Sequence, residues 1–428
     1  MNSNMASILR SRFANLYYGW RMIAASCTIR VLGGGLHSYG LSVIFLPVIQ
    51  DLNLSRTAAS LVFSLGRAQG ALEGPVAGHY IDRYGPRPVI LVAVALAGIG
   101  YLILSGVHTF ATLALVYMGI ICLSYQAGFM DATMALANTW FIRKRALAMS
   151  LTSGSISLGG ALVTPLLAYV VHTWGWRIAA IGAGVAFLIM GLPLALTIRR
   201  SPESIGLRPD GDAPDDSPIP LDSAENHRRT FDEQNWSLGE SLRTNQFWLI
   251  TLATSCRTVC LSGLLVHLVP ILVWKGYSQQ QAAFYLSVIA FFGMPTHLLI
   301  GWLGDRLNKP RLMASCMALA SIAIYCLFQG THEWQLWLAI ALFNLFEGLF
   351  SVTWATVGDF FGRKNFGKIR GSMSFLYTWG SVIGPVLAGA IYDRTHSYGE
   401  LYWVLLIVCW LTALLYALLR RPTEKRAS

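Results

Sequence analysis

A few ionisable residues interrupt the long apolar stretches of this 428-residue chain, and they carry most of its legible chemistry. Arg30 lies ten residues beyond Trp20, and Arg257 eleven beyond Gln246. At 1.5 Å per helical residue these are depths of about 15 and about 16 Å. A planar guanidinium suits a carboxylate, so two cations at one depth are expected to face one cavity and hold a small anion. The competing expectation is that each is neutralised by a neighbouring carboxylate. Asp131, Glu73 and Glu347 stand against Arg30, Arg257 and Arg67. That near-neutral set fits static pairing, and equally fits pairs that exchange partners. Asp131 reads as a proton-coupling acid or as a static partner of Arg30, with Glu73, Glu347 and His297 as further proton carriers. His37, seven residues after Arg30, reads as a companion of the anion site. Either histidine can titrate near neutral pH or be a hydrogen-bonded polar spot. Tyr125, Trp354 and Tyr377 are expected to line the same pocket, against the alternative of plain packing.

The elements that must position these residues follow from composition. The chain is 54% hydrophobic and 12% charged, against about 25% charged in soluble domains, and its mean hydropathy is +0.52. A helix crosses hydrocarbon in about 20 residues. Apolar runs then define twelve spans, at 19–48, 56–81, 88–106, 110–139, 146–171, 176–198, 246–273, 279–304, 312–330, 335–361, 367–392 and 400–419. Ionisable groups at mid-depth in such spans are costly and point to function. The first apolar run is too long for a cleavable leader. The seven cysteines are scattered through apolar runs, which excludes a disulfide scaffold. With an inside N-terminus, inside segments hold 25 Lys and Arg, outside loops four and the spans three. That bias predicts two cytosolic termini and a membrane rather than nucleic acid as the partner of the basic charge.

Residues 199–245 carry five prolines and ten acidic residues and read as a solvated linker. Ser237 and Glu240 form a capping pair for a short surface helix at its end. The linker separates an N-terminal half, 1–198, from a C-terminal half, 246–428. The halves repeat each other. Asp82-Arg83 recurs as Asp305-Arg306, Arg143-Lys144 as Arg363-Lys364, and Pro165 as Pro385, at offsets of 220–223. Parallel six-helix repeats are a transporter architecture with the site at mid-depth between them.

Gly78-x-x-x-Asp82-Arg83-x-Gly85-x-Arg87 resembles the signature loop of the major facilitator superfamily, and the resemblance covers the whole chain. Tyr18-Gly19-Trp20, the stretch from Trp140 to Gly160 and Pro202-Glu-Ser-Ile-Gly206 are similar to its bacterial monocarboxylate and oxalate/formate porters. The resemblance implies an all-α membrane protein of two six-helix bundles working by alternating access in the bacterial inner membrane. It also implies a cytosolic latch in which Asp82 faces the N-terminus of span 11. Gly78, Arg83, Gly85, Arg87, Asp305 and Arg306 are the associated gating residues. That branch often has a Lys or an Asp/Arg pair in spans 8 and 11. Here Met294 precedes Pro295 where an arginine is usual, and span 11 is expected to lack a basic residue.

Enzyme chemistry lacks its parts. There is no P-loop, no His/Cys/acid cluster at metal-ligand spacing and no nucleophile elbow around Ser153-Gly-Ser155. The expected activity is secondary transport of a small organic anion, coupled to protons or to anion exchange, by a monomer without cofactor. An exporter of amphiphilic compounds and a membrane ligand sensor are the alternatives.

Overall fold

The computed structural model describes residues 17–54, 56–211 and 235–422. The middle of the expected linker, both chain ends and the side chain of Arg67 lie outside the described residues. Every described element is helical. Among the described residues ten helices are long and apolar enough to cross a membrane: Pro86–Leu104, Phe110–Trp140, Arg145–Trp174, Trp176–Thr197, Asn245–Trp274, Gln280–Arg306, Lys309–Gln329, Glu333–Phe361, Phe366–Thr395 and Gly399–Ala417. They are spans 3 to 12. Span 1 runs through Tyr18–Gly33, a π-turn at Gly34–Ser38 and Gly40–Asp51, and span 2 is Arg56–Tyr84. Span 2 is the more polar because it carries Arg67, Glu73, Asp82 and Arg83.

Local sequence sets the helix ends. Thr244, Ser278 and Asn308 cap spans 7, 8 and 9 with their side chains. Ser237 and Glu240 form a reciprocal capping box on Leu238–Leu242. Gly85, at φ 89°, makes the turn between spans 2 and 3 that a residue with a Cβ would resist.

Packing follows the repeat. Span 1 lies on span 5 as span 7 lies on span 11, and span 3 lies on spans 4 and 6 as span 9 lies on spans 10 and 12. The halves meet through span 2 against span 11 and span 5 against spans 8 and 10. On the face that carries the linker and the last described residues, the backbones approach very closely. A Cβ on Gly78 would fall 2.1 Å from the Gly367 carbonyl oxygen, and one on Gly371 would fall 2.0 Å from that of Gly74. A Cβ on Gly358 of span 10 would meet the Asn138 side chain of span 4 at 2.1 Å. These two positions are repeat-mates, so the pseudo-twofold axis passes between them. This linker face is therefore shut.

Two features depart from the expected pattern. Span 11 begins at Phe366 and includes Lys368, Arg370 and Arg394, so it has basic residues. Arg370, the second of these, is 2% exposed. The second departure is a set of π-turns at Gly34–Ser38, Tyr117–Cys122, Tyr125–Ala132 and Phe187–Gly191. All lie in the N-terminal half, and the described helices of the other half have none. A π-turn shifts the helical phase, and such turns concentrate at functional sites.

Candidate functional site

Arg30 and Arg257 each stand twelve residues beyond the first residue of their helix, at 1% and 2% exposure. Each guanidinium reaches the polar helix of its own half. Arg30 Nη1 donates to Thr133 Oγ1 of span 4 at 2.8 Å, and Nη2 lies 3.3 Å from the Met130 sulfur. Arg257 Nη1 donates to the Phe346 carbonyl of span 10, and its guanidinium lies over the Phe350 ring. No carboxylate within 4 Å pairs with either among the described residues, and both Nε atoms lack a partner there. His297 of span 8 is buried, lies within electrostatic reach of both arginines and has an unpartnered Nδ1. Three cationic or protonatable groups thus converge at the centre.

The expected counter-charges are placed differently. Asp131, in the π-turn of span 4, pairs through Oδ1 with Arg370 of span 11 rather than with Arg30, and accepts from Gln126 Nε2 at 3.3 Å. Arg30 lies within electrostatic reach of this pair without touching it. The pair is buried and joins the two halves. Arg370 also lies 4.7 Å over the Trp354 ring, and Trp354 packs on Tyr377 at 5.7 Å. Arg370 is the buried charge of this centre that the sequence reading does not single out. Its signal was its place one turn inside span 11, beside the Gly371 that lets span 2 come close. Glu347 of span 10 is half-buried, senses Arg257 and reaches the neighbourhood of Tyr39 from span 1. Glu73 lies in span 2, bonded to Gln69 and within reach of Asp131. His37 sits in the π-turn of span 1, 4.4 Å from the Tyr125 ring and 5.7 Å from that of Tyr117. Its environment is aromatic, and Tyr125 in turn is tied to Ser38.

The linker face holds a symmetric pair of carboxylate contacts. Asp82 accepts from the N–H groups of Gly367 and Lys368 at the start of span 11, at 2.7 and 2.8 Å. Asp305 accepts from Ala146 and Leu147 at the start of span 5, at 2.8 and 2.9 Å. Each binds the positive end of a helix from the other half. Gly78 permits the first contact by its lack of a side chain. Arg83, Gly85 and Arg87 meet their own half and the start of the linker. The Arg83 carbonyl accepts from Arg200, Gly85 abuts the Arg200 side chain, and Arg87 donates to the Leu196 carbonyl. Arg306 stacks on Trp302 of its own helix.

Further ion pairs reinforce this seal. Buried Arg145 binds Asp359 at 2.5 Å, and Lys309 holds the other oxygen at 2.7 Å. Arg363 joins Glu203 of the linker to the Thr139 carbonyl of span 4, both at 2.9 Å. Burial raises the Glu203 carboxyl, but its own N–H, Ser201 and Arg363 outweigh that and hold it below its ordinary value. Asp210 accepts from Ile142 and Arg143 at 2.9 and 2.8 Å, and Asn235 accepts from Arg363 and Lys364 at 3.1 and 3.0 Å. The two described ends of the linker thus hold repeat-equivalent loops.

The family profile of the Major Facilitator Superfamily matches residues 31–310 and 276–428. Monocarboxylate transporter 11 of Homo sapiens is 27% identical over 404 residues, covering 89% of this chain and 78% of that protein. The uncharacterised transporter YcxA of Bacillus subtilis (strain 168) is 23% identical over 394 residues, 89% of this chain and 91% of that one. Among solved structures, the transporter FucP in its outward conformation superposes with a TM-score of 0.68 at 15% identity, over 92% of this chain and 97% of that one. That likeness concerns the fold.

Two outcomes follow from this geometry. Asp82→Asn and Asp305→Asn each remove a charge from a helix N-terminus, an interaction worth up to about 2 kcal/mol when partly buried. Each should favour opening of the linker face. Pulsed dipolar spectroscopy between labels at Tyr84 and Lys364 should show a longer distance population than in the parent, and an unchanged distribution would remove the latch. Separately, Asp131→Asn or Arg370→Gln leaves a buried partner uncompensated, at a cost of about 3–5 kcal/mol. The double variant should recover most of the lost melting temperature, and a double that melts as low as the worse single would show that the pair is not coupled.

Proposed function

This chain belongs to the Major Facilitator Superfamily and is a membrane transporter, and from that premise we propose that its cargo is a small organic anion bearing a carboxylate. The observation that carries this reading is the pair of buried arginines with neutral partners only. Holding an unpaired cation out of water costs several kcal/mol. Arg30 and Arg257 sit at matched positions on spans 1 and 7, each with an unused Nε and no carboxylate in contact among the described residues. An anion placed between them supplies the missing charge to both. His297 adds a third donor beside it. The match to relatives named as monocarboxylate transporters agrees with a cargo of this charge and size.

The closed linker face gives the direction of approach in this state. Tyr39 of span 1 is 36% exposed and lies within electrostatic reach of Glu347 of span 10. On this reading the positive-inside bias supports a cytosolic linker and cytosolic termini. The anion then enters from outside, and release requires the contacts of Asp82, Asp305, Arg145 and Arg370 to part. Asp131 and Arg370 belong to opposite halves, so this pair is where protonation acts on the motion. A proton on Asp131 removes the charge that holds Arg370. Arg370 is then free to follow the cargo carboxylate or water as the halves rock. This makes the transporter proton-coupled, with Asp131 as the carrier.

Loss of Arg257 tests the site. A charge-assisted contact contributes roughly 1.5–3 kcal/mol, so Arg257→Gln should weaken binding of a monocarboxylate such as lactate or pyruvate about 10–100-fold, at 1.4 kcal/mol per decade. Lysine should restore it in part, because it lacks the fork. Calorimetry on the purified protein, with a panel of labelled carboxylates to find the cargo, reads this directly. Wild-type affinity in a folded Arg257→Gln variant would return this residue to a structural role. Coupling has its own readout. Asp131→Asn should lose accumulation driven by an imposed pH gradient in proteoliposomes and retain counterflow exchange. A variant that still concentrates cargo would exclude Asp131 as the carrier.

A further inference from the structure

A small polar cavity of about 90 Å³ lies in the shut linker face, and neither Arg30 nor Arg257 lines it. Its walls come from both halves. Asp82, Gly85, Thr139 and Arg200 belong to the N-terminal half and the start of the linker, while Arg363 and Lys364 belong to the loop before span 11. Three cations on this wall stand against one carboxylate. That carboxylate is already engaged, because Asp82 accepts from the N–H groups of Gly367 and Lys368. Arg363 is paired with Glu203.

Arg200 and Lys364 are left without a carboxylate within 4 Å among the described residues. Arg200 donates to the Arg83 carbonyl at 3.3 Å, and its stem lies over the turn at Gly85, where a Cβ would fall 2.6 Å from its Cγ. Lys364 is placed by its own N–H, which donates to Asn235 at 3.0 Å. Both side chains are exposed, so each can turn to a guest without breaking a buried contact. Gly85 and Pro86 also bring the first turn of span 3 to this wall without a side-chain cap, which adds positive potential. Closing the linker face therefore sets charges of one sign, from opposite halves, on one cavity, and that juxtaposition costs free energy. An anion between them offsets both charges and bridges the halves. With a water taking about 30 Å³ of liquid, the volume holds about three waters. That is the scale of one compact oxyanion, and too small for a nucleotide. Guanidinium and ammonium donors on several sides suit phosphate oxygens.

We propose that this cavity is a regulatory site for a small oxyanion of the phosphate type, held between Arg200 and Lys364, which stabilises the shut linker face. Its walls part when the halves part, so the site is complete only in the shut state. A ligand that binds one state shifts the population towards it. Bound oxyanion thus slows opening on the linker side. The site is separate from the central arginines and does not depend on the identity of their cargo. A phosphoryl group reaches it either as the free ion or as a lipid headgroup, and the test separates the two.

The test uses the full-length protein in phosphatidylcholine nanodiscs, with inorganic phosphate as the probe and chloride at equal ionic strength as the control. Phosphorus NMR line broadening reads binding. Pulsed dipolar spectroscopy between labels at Leu196 and Leu307, exposed positions on opposite halves, reads the state of the face. Phosphate should bind saturably and deplete the longer distances, and chloride should do neither. Arg200→Gln and Lys364→Gln should each weaken binding about tenfold, as for loss of one charge-assisted contact. Lys364→Glu supplies the negative charge from the protein itself, opposite Arg200, and should keep the face shut while losing the response to phosphate. Arg257→Gln should bind phosphate as the parent does, which separates this site from the central one. In phosphatidylglycerol nanodiscs, a shut population that needs no phosphate and is lost in both glutamine variants identifies a lipid headgroup as the source of the oxyanion and supports the site. Parental phosphate affinity in both glutamine variants, or a response that chloride matches, overturns the proposal. Thermal melts check folding. Should Arg200→Gln fail to fold, Lys364→Gln, at an exposed loop position, overturns the proposal alone if its phosphate affinity is unchanged.

Discussion

A guanidinium that cannot reach water must find negative charge, and this protein answers that constraint differently at each buried arginine. Arg370 and Arg145 are compensated by Asp131 and Asp359, each from the other half of the molecule. Arg30 and Arg257 are met by a hydroxyl, a sulfur and a carbonyl. The difference has a mechanical meaning. Where compensation comes from the opposite half, the ion pair resists separation of the halves. Where compensation is left incomplete, the proposed anionic cargo would complete it. The same desolvation cost thus builds both the lock and the site.

The lock depends on how close the backbones come. A carboxylate on span 2 reaches the first N–H groups of span 11 because Gly78 and Gly367 leave no side chains between the helices. Span 8 reaches span 5 in the same way, with Gly301 against Ser150 and Gly304 against Ala146. Helix dipoles then reward the approach from both sides of the axis. Because these contacts are short, polar and few, small displacements of one bundle remove them together. A shut linker face is therefore a state that can be left, as the proposed alternating access requires.

Repetition governs the frame more than the chemistry. The carboxylate contacts of Asp82 and Asp305 obey the pseudo-twofold axis, as do the positions of the two central arginines. The interhalf ion pairs do not. The repeat-mate of Asp131 is Ser351, which makes only a 3.4 Å contact to the Met149 carbonyl. The described π-turns are all in the N-terminal half. Two similar scaffolds have thus been given different work, with the acid of the central pair and the aromatic packet around His37 on one side, and Arg370 with Trp354 and Tyr377 on the other.

Much of this was already fixed by residue order. Twelve helices follow from apolar runs interrupted by charge and turn residues, because hydrocarbon leaves a backbone no alternative to internal hydrogen bonds. The observed ends fall within a few residues of the expected ones. Matched depth of Arg30 and Arg257 follows from counting along straight helices. Partner choice does not, because it is decided by which helices of opposite halves touch and by the phase at which each presents its side chains. Asp131 stands in a π-turn that breaks the 3.6-residue count, and Arg370 comes from a helix 239 residues away. Glu73 is equivalent in depth to the other acids, yet its carboxyl is held by Gln69 of its own helix. Sequence spacing is one-dimensional and places a charge at a depth; only packing between distant helices decides whether that charge meets a partner, a cavity or the bilayer.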